Sequence, residues 1–340
     1  MSLPTRDERI QVDTSSDDDS HFDTQSVVDS SLSLASSVRD YTYENGRRYH
    51  AYRHGQYPMP NDEEEQDRLM LLHHLFRLII GGNLFRAPIA QSRITGTANN
   101  TRQRILDLGT GTGSWVLDMA EDFPQAEIIG VDLSPIQPHW APPNCRFFVD
   151  DIESDWTFRP EEAFDFIHAR SLAGGIADWD RMLQQAFAHV KPGGWVEIQE
   201  CEPFIVSDDA THELAVVTQE WHRKLRGASR QFGKALDVVS SIGWRMQRAG
   251  FVNVIDDVYK CPIGTWPKNR RLKEIGQVGK FALLESIEPY SLALFTRILG
   301  YTYEEANETL NRARAELLNN NSLHLYVQVH YVYGQRPRSG

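Results

Sequence analysis

Cysteine is scarce in this 340-residue chain: Cys145, Cys201 and Cys261 stand far apart, odd in number and without C-x-x-C spacing. That pattern excludes a disulfide framework and argues against a structural zinc site. No run of about 18 apolar residues exists, so no transmembrane helix is expected. Met1 to Gln11 is polar and has no apolar signal segment, which points to a reducing compartment, cytoplasm or nucleus. A basic excess is also missing. The net charge is −12 and the pI about 5.5, so a phosphate backbone is a poor partner and nucleic acid is not expected as one. There is no G-x-x-x-x-G-K-[ST] loop, which rules out a phosphate-loop nucleotidase.

The hydrophobic fraction of 41% suffices for a sizeable core. Three regions differ in composition. Residues 1–40 hold ten serines and the run Asp17-Asp18-Asp19, with few large apolar groups, and are expected to be a disordered acidic tail. Residues 41–101 begin with Tyr41, Tyr43, Tyr49, Tyr52 and Tyr57 interleaved with Arg47, Arg48 and Arg53. Two readings fit them: a lid over a bound ligand, with Tyr49 the contact, or aromatics that pack the first helix. Asn61, with Glu64 three residues on, has the form of an N-cap, and Leu69, Leu72, Phe76 and Ile79 follow at helical spacing.

Residues 102–337 alternate strand and helix. Apolar runs at Arg104–Leu108, Glu127–Val131, Cys145–Val149, Phe164–His168 and Trp195–Gln199 read as buried strands. Helices are expected over Ser114–Asp122, after Asp178, and over Ala235–Ala249. Two further strands are expected at Phe251–Val258 and His324–Tyr333, with a helical insert between them from about Pro267 to Asn321. Within it Thr302 and Glu305 make a capping box. This rhythm predicts an α/β, Rossmann-like fold with a mostly parallel sheet covered on both faces.

After the first of these strands comes Asp107-Leu108-Gly109-Thr110-Gly111-Thr112-Gly113. Glycines at alternate positions let a backbone turn sharply and approach a ligand. Dinucleotide sites do this with G-x-G-x-x-G, but here Ser114 fills the last glycine position counted from Gly109. The acidic residue before the turn fits S-adenosyl-L-methionine better, because a carboxylate repels phosphate and favours the cationic methionine end of that molecule. Asp132 closes the second strand, where its carboxylate can accept ribose hydroxyls, with Leu133 beside it. Asp151 and Ile152 follow the third strand, where an acid can accept the adenine amino group and Ile152 can pack on the ring. The expected cofactor-binding set is therefore Tyr49, Asp107, Gly109, Thr110, Gly111, Gly113, Asp132, Leu133, Asp151 and Ile152, with no metal site.

These motifs resemble the class I methyltransferase superfamily. Glu44-Asn45-Gly46-Arg47-Arg48-Tyr49-His50, Asn61 to Arg68, His73-His74-Leu75-Phe76, Ser134 to Pro138, Lys191-Pro192-Gly193-Gly194-Trp195-Val196-Glu197 and Tyr331 to Pro337 are similar to fungal LaeA-like methyltransferases. The resemblance spans roughly Tyr41 to Pro337. It implies a seven-stranded sheet whose last two strands form an antiparallel hairpin, and a place in secondary metabolism. Its members divide into enzymes that methylate small molecules and regulators that act through protein partners, so both a small-molecule acceptor and a regulatory protein partner are open. For a base, if the acceptor needs one, His168 and Glu200 lie at the carboxyl ends of core strands, and neither is singled out. Trp179, Trp195, Trp244 and Trp266 could line an aromatic pocket or simply pack the core. The insert is expected to cap the acceptor side.

Overall fold

The computed structural model describes residues 3–13, 41–50, 52–53, 55–89, 102–320 and 322–338. A short antiparallel hairpin, β1 (Thr42–Glu44) and β2 (Arg47–Tyr49), leads into helix α1 (Glu63–Ile79). Then come β3 (Arg104–Leu108), α2 (Ser114–Asp122), β4 (Glu127–Asp132), β5 (Cys145–Val149), β6 (Phe164–Arg170), α3 (Trp179–His189) and β7 (Val190–Cys201). Helices α4 (Val216–Phe232) and α5 (Val239–Ala249) precede β8 (Val252–Pro262). Helices α6 (Arg270–Arg297) and α7 (Tyr303–Asn319) precede the last strand, β9 (Tyr326–Gln335).

The main sheet has seven strands in the order β5-β4-β3-β6-β7-β9-β8, parallel except for β9, which runs antiparallel to both neighbours. Side chains alternate across it as the pleat requires. Leu106, Leu108, Ile129, Val131, Ile167 and Ala169 face one core, which contains Met182 and Leu183 of α3 and Ile242 and Met246 of α5. Ile105, Ile128 and Phe166 face the other, with Trp115 and Met119 of α2. Both faces are covered, which is why these strands are nearly continuous apolar runs. The chain winds outward from β3 to β4 and β5, then returns to β6 on the far side of β3. The carboxyl end of β3 is thus a topological switch point, where open α/β sheets leave a ligand crevice.

Helix ends follow local chemistry. The Asp62 side chain, not that of Asn61, caps α1 by accepting from Glu65 N at 3.1 Å. Asn61 instead donates to Ser134 Oγ at 3.3 Å. The capping box of α7 is present, with Thr302 N to Glu305 at 2.8 Å and Glu305 N to Thr302 at 3.2 Å. Helix α6 has 28 residues and is about 42 Å long at the standard rise. It lies close against the end of β8. A Cβ at Gly276 would stand 2.1 Å from the Gly264 carbonyl oxygen, so no larger residue fits there.

The first residues depart from the expected disordered tail of residues 1–40. Residues 3–13 pack on the domain. Leu3 and Ile10 are buried in a cluster with Phe76 and Ile79 of α1, Leu272 and Ile275 of α6, and Tyr331 of β9. Bridges Thr5–Tyr259 and Val12–Pro267 lay the segment along the free edge of β8, Ile10 N donates to Asp208 at 3.0 Å, and Asp13 pairs with Lys273. Two apolar side chains and a few backbone bonds hold a segment whose average composition is polar. The serine-rich remainder, 14–40, lies outside the described residues, as do 90–101. Ile10→Ala should lower unfolding free energy by about 2 kcal/mol, the low end for a buried aliphatic truncation. A urea midpoint that moves with Ile10 but not with a deletion inside 14–40 checks it.

Candidate active site

Cavities line up along the carboxyl ends of β3, β4, β6 and β7. One is lined by Gly109, Asp132, Leu133, Asp151, Ile152, Arg53 and Tyr57. A second, sharing Gly109, is lined by Asp107, Thr110, Gly111, Thr112, His168 and Arg170. A third shares Leu72 and Ser171 with the second and extends under α4 and α6.

The glycine turn shapes the first two. Gly109, Gly111 and Gly113 all have positive φ, a conformation that L side chains adopt with strain. At Gly111 an added Cβ would also stand 3.3 Å from Leu69 Cδ1. The turn is tied to β4 by Asp132, whose carboxylate accepts from Gly111 N at 2.7 Å and from Ser134 N at 2.8 Å. A carboxylate has about four acceptor positions, so two remain for a ligand's hydroxyls. Burial, with the Asp107 charge adding to it, pushes the Asp132 carboxyl up to about 6 against the backbone N–H groups that hold it down. Thr110 Oγ1, also in the turn, is buried and has no hydrogen-bond partner among the described residues.

Asp107 is 3% exposed, and its Oδ1 lies 2.7 Å from His168 Nδ1. The His168 ring is fully buried and stacks on Trp115, with centroids 3.9 Å apart and planes 1° from parallel. Burial pulls its pKa down despite Asp107. His168 is therefore a packed strand histidine whose Nδ1 is taken up by Asp107, while its Nε2 has no hydrogen-bond partner among the described residues.

Asp151 and Ile152 line the first cavity, but the Asp151 carboxylate is shared. It accepts from Glu153 N at 2.9 Å and Ser154 Oγ at 3.2 Å, and pairs with Arg53 at 3.2 Å. Tyr49 is a correction. It lines none of these cavities; its ring is buried with the Arg297 guanidinium 5.0 Å from its centroid. The tyrosine that reaches the ligand cavity is Tyr57, whose hydroxyl is pushed well up by burial and by the Asp132 charge. The aromatic segment divides. Its hairpin docks on α6 through Arg47–Glu288 and Glu44–Arg297, while Arg53, Gln56 and Tyr57 line the cavity. Of the two readings open for the tryptophans, cavity lining fails for all four: Trp179, Trp195, Trp244 and Trp266 line none of these cavities, whereas Trp221 of α4 lines the third.

Arg170 was not anticipated from sequence. It ends β6, reaches the glycine-turn cavity, and has no carboxylate at ion-pair distance among the described residues. Its Nη2 donates to His73 Nδ1 at 2.9 Å, and His73 Nε2 lies 2.8 Å from Asp118. His73 is thus held as the neutral tautomer protonated on Nε2, consistent with burial lowering its pKa. Burial lowers the Arg170 pKa as well. A buried cation beside Asp107 gives the cavity one group for a carboxylate and one for an ammonium, the two termini of an amino acid. The only sequence signal was an arginine at a strand's carboxyl end.

A parallel switch point, an acidic-x-Gly-x-Gly-x-Gly turn and an acid at the end of β4 make an arrangement that could hold a nucleoside-bearing, amino-acid-tailed cofactor. Family comparison agrees: residues 72–255 match the model of the methyltransferase domain, and the chain belongs to that family. It is an S-adenosyl-L-methionine-dependent methyltransferase. It is 42% identical to methyltransferase pytC of Aspergillus terreus over 97% of this chain and 96% of that one. It is 34% identical to the secondary metabolism regulator LAE1 of Cochliobolus heterostrophus over 87% of this chain and 94% of the other. To the regulator laeA of Aspergillus flavus it is 33% identical, over 91% and 81%.

Two outcomes follow from the charges. Arg170→Met should weaken S-adenosylhomocysteine binding by about 1.5–3 kcal/mol, the scale of hydrogen bonds to a charged group. It should leave 5′-methylthioadenosine, which lacks the amino-acid end, unchanged in calorimetry. A ligand whose hydroxyls donate to Asp132 favours its carboxylate form and so lowers its pKa. The free protein then holds more protons near pH 6 than the complex. Affinity for both ligands should rise with pH through about 6 and level off above; titration with Asp132→Asn, which should lose this pH dependence, checks the assignment.

Proposed function

We propose that this methyltransferase acts on a small, mainly apolar molecule of secondary metabolism, held in the third cavity. The observation that carries this reading is the cavity itself: about 140 Å³, walled by Leu75, Ile205, Leu225, Ile263 and Ala282, and joined to the glycine-turn cavity at Leu72 and Ser171. A mostly apolar pocket with a few convergent polar groups suits a small ligand. In this reading Asp132 holds the ribose, Asp107 and Arg170 the amino-acid end, and Asp151 and Ile152 the adenine end. Arg53, Gln56 and Tyr57 act as the lid, and α6 and α7, the insert, cap the acceptor side. The printed name of the pytC relative supports a pathway enzyme. The three cysteines are free, and no described helix is long and apolar enough to cross a membrane, in keeping with cytoplasm or nucleus.

The regulators among the relatives favour a second reading, in which the chain acts through a protein partner. Transfer of a labelled methyl group in fungal extract separates the two: label in the solvent-extractable fraction supports the first, label confined to protein overturns it. Leu225→Trp fills the cavity from α4. It should abolish transfer to extractable acceptors while changing S-adenosylhomocysteine affinity by less than about 0.5 kcal/mol, the scale for an independent site.

A further inference from the structure

Among the polar side chains that line the third cavity, Glu200 and His222 come from different elements, β7 and α4. Glu200 comes from β7 and is 3% exposed. Its Oε2 accepts from Ala173 N at 2.9 Å and its Oε1 from Cys201 N at 3.2 Å. Ala173 belongs to the loop after β6 whose Ser171 is shared between the acceptor and glycine-turn cavities. The loop therefore ties this carboxyl to the segment that borders both cavities. His222 comes from α4 and is 8% exposed. Its ring stacks against Trp221, with centroids 5.2 Å apart, and it lines the cavity without being among the fully buried polar atoms that lack a partner, so its nitrogens are open to a small molecule there. An imidazole whose nitrogens open onto an apolar cavity is a polar group that a ligand can engage.

We propose that Glu200 is the catalytic base for an acceptor hydroxyl and that His222 hydrogen-bonds the acceptor's far pole, so that the substrate is a neutral, mainly apolar molecule bearing a phenolic or enolic OH. This rests on the third cavity being the acceptor site. As the acceptor oxygen forms its bond to the methyl carbon, the carbon–sulfur bond breaks with its electron pair left on sulfur. The acceptor proton passes to the Glu200 carboxylate and leaves to water after product release.

The environment selects Glu200 over His222 for the proton. Burial pushes the Glu200 carboxyl up to about 7, against the backbone N–H groups and the charge of His330. Burial and the Arg226 charge push His222 down to about 4. A base works best when its pKa lies near the working pH, so His222 remains a neutral donor or acceptor. The groups facing Glu200 are His330 opposite it on β9, Glu202 just past the end of its strand, Tyr290 of α6, and Arg68 and Glu65 of α1 around that tyrosine. Arg68 is neutralised by Glu65, and His330 lies between Glu202 and Asp256. None of these groups around Glu200 is a free cation that would welcome a carboxylate, and ionised Glu200 would repel one there; Arg226, whose charge reaches His222, forms no ion pair among the described residues.

The test uses the full chain saturated with S-adenosylhomocysteine and 2-naphthol as the probe. Excited naphthol is acidic and yields naphtholate emission only when a base accepts its proton. Expected is a bound-state naphtholate band that grows as pH rises through about 7, as the carboxyl ionises. Glu200→Gln should lower the band about tenfold while keeping S-adenosylhomocysteine affinity, and Glu200→Asp should restore part of it. 2-Naphthoate should bind about tenfold more weakly than 2-naphthol, a gap that Glu200→Gln should close. If Glu200→Gln keeps the band and its pH midpoint, the proton goes elsewhere and the base assignment falls while the cavity reading stands. If the probe does not bind, or binds Leu225→Trp as well as the unaltered chain, the acceptor site itself is misplaced and both readings fall.

Discussion

The hydrogen bond from Gly111 N to the Asp132 carboxylate joins the two strands on which the site depends. β3 and β4 are adjacent and parallel, and their carboxyl ends must stay in register for the glycine turn to face the acid. The bond fixes that register through the turn, and α2 then starts from Gly113 with its first turn against the same crevice. A carboxylate kept in low dielectric by backbone donors alone is costly in the free protein, and the raised Asp132 pKa reflects that cost. The same arrangement leaves fixed acceptor positions aimed into the crevice, so little reorganisation is needed when a ligand arrives.

A second node connects parts distant in sequence. Arg47 is 6% exposed and forks onto Asp62 through two contacts of 2.7 Å. A third contact, 3.2 Å long, reaches Glu288, which also meets Arg314 of α7. One guanidinium thus joins the hairpin, the cap of α1 and the insert. Buried ion pairs are weak contributors to net stability but fix position strictly, since displacing one partner leaves the other charge unpaired. The N-terminal extension and the insert therefore form one wall, and that wall bounds the third cavity through Leu72 and Leu75 on one side and Ala282 and Tyr290 on the other.

The sheet and the glycine turn were legible because both are local signals. Buried parallel strands are short apolar runs, and a sharp turn before a helix needs glycine. Helix α4 was not, because its buried stripe of Trp221, Leu225 and Ala228 is interrupted by Thr218, His222 and Ser229, polar residues that are themselves buried. That face packs partly on a cavity, so its periodicity is not purely apolar. Leu3 and Ile10 escaped notice because a local average of composition cannot see a distant binding surface. Tyr49 and Tyr57 look alike in sequence. What separates them is which side of the hairpin meets α6, and that is set by Arg297 almost 250 residues further on. Arg170 and Glu200 could be placed at strand ends from sequence, but their value lies in what they lack or share nearby, which only the packed structure supplies.

The position of β9 also bears on how the molecule is made. The last strand lies between β7 and β8 rather than at an edge, and residues 3–13 fasten onto β8 and α6. During synthesis β7 and β8 must therefore wait with open edges until the final residues of the domain leave the ribosome, and the first residues have no finished surface to close on until then. The earliest part of the chain is among the last to settle. Long-range pairings of this kind fold slowly, and unpaired strand edges invite association with other chains. The half-made chain is thus the stage most exposed to misassembly, and the one at which a chaperone would matter most.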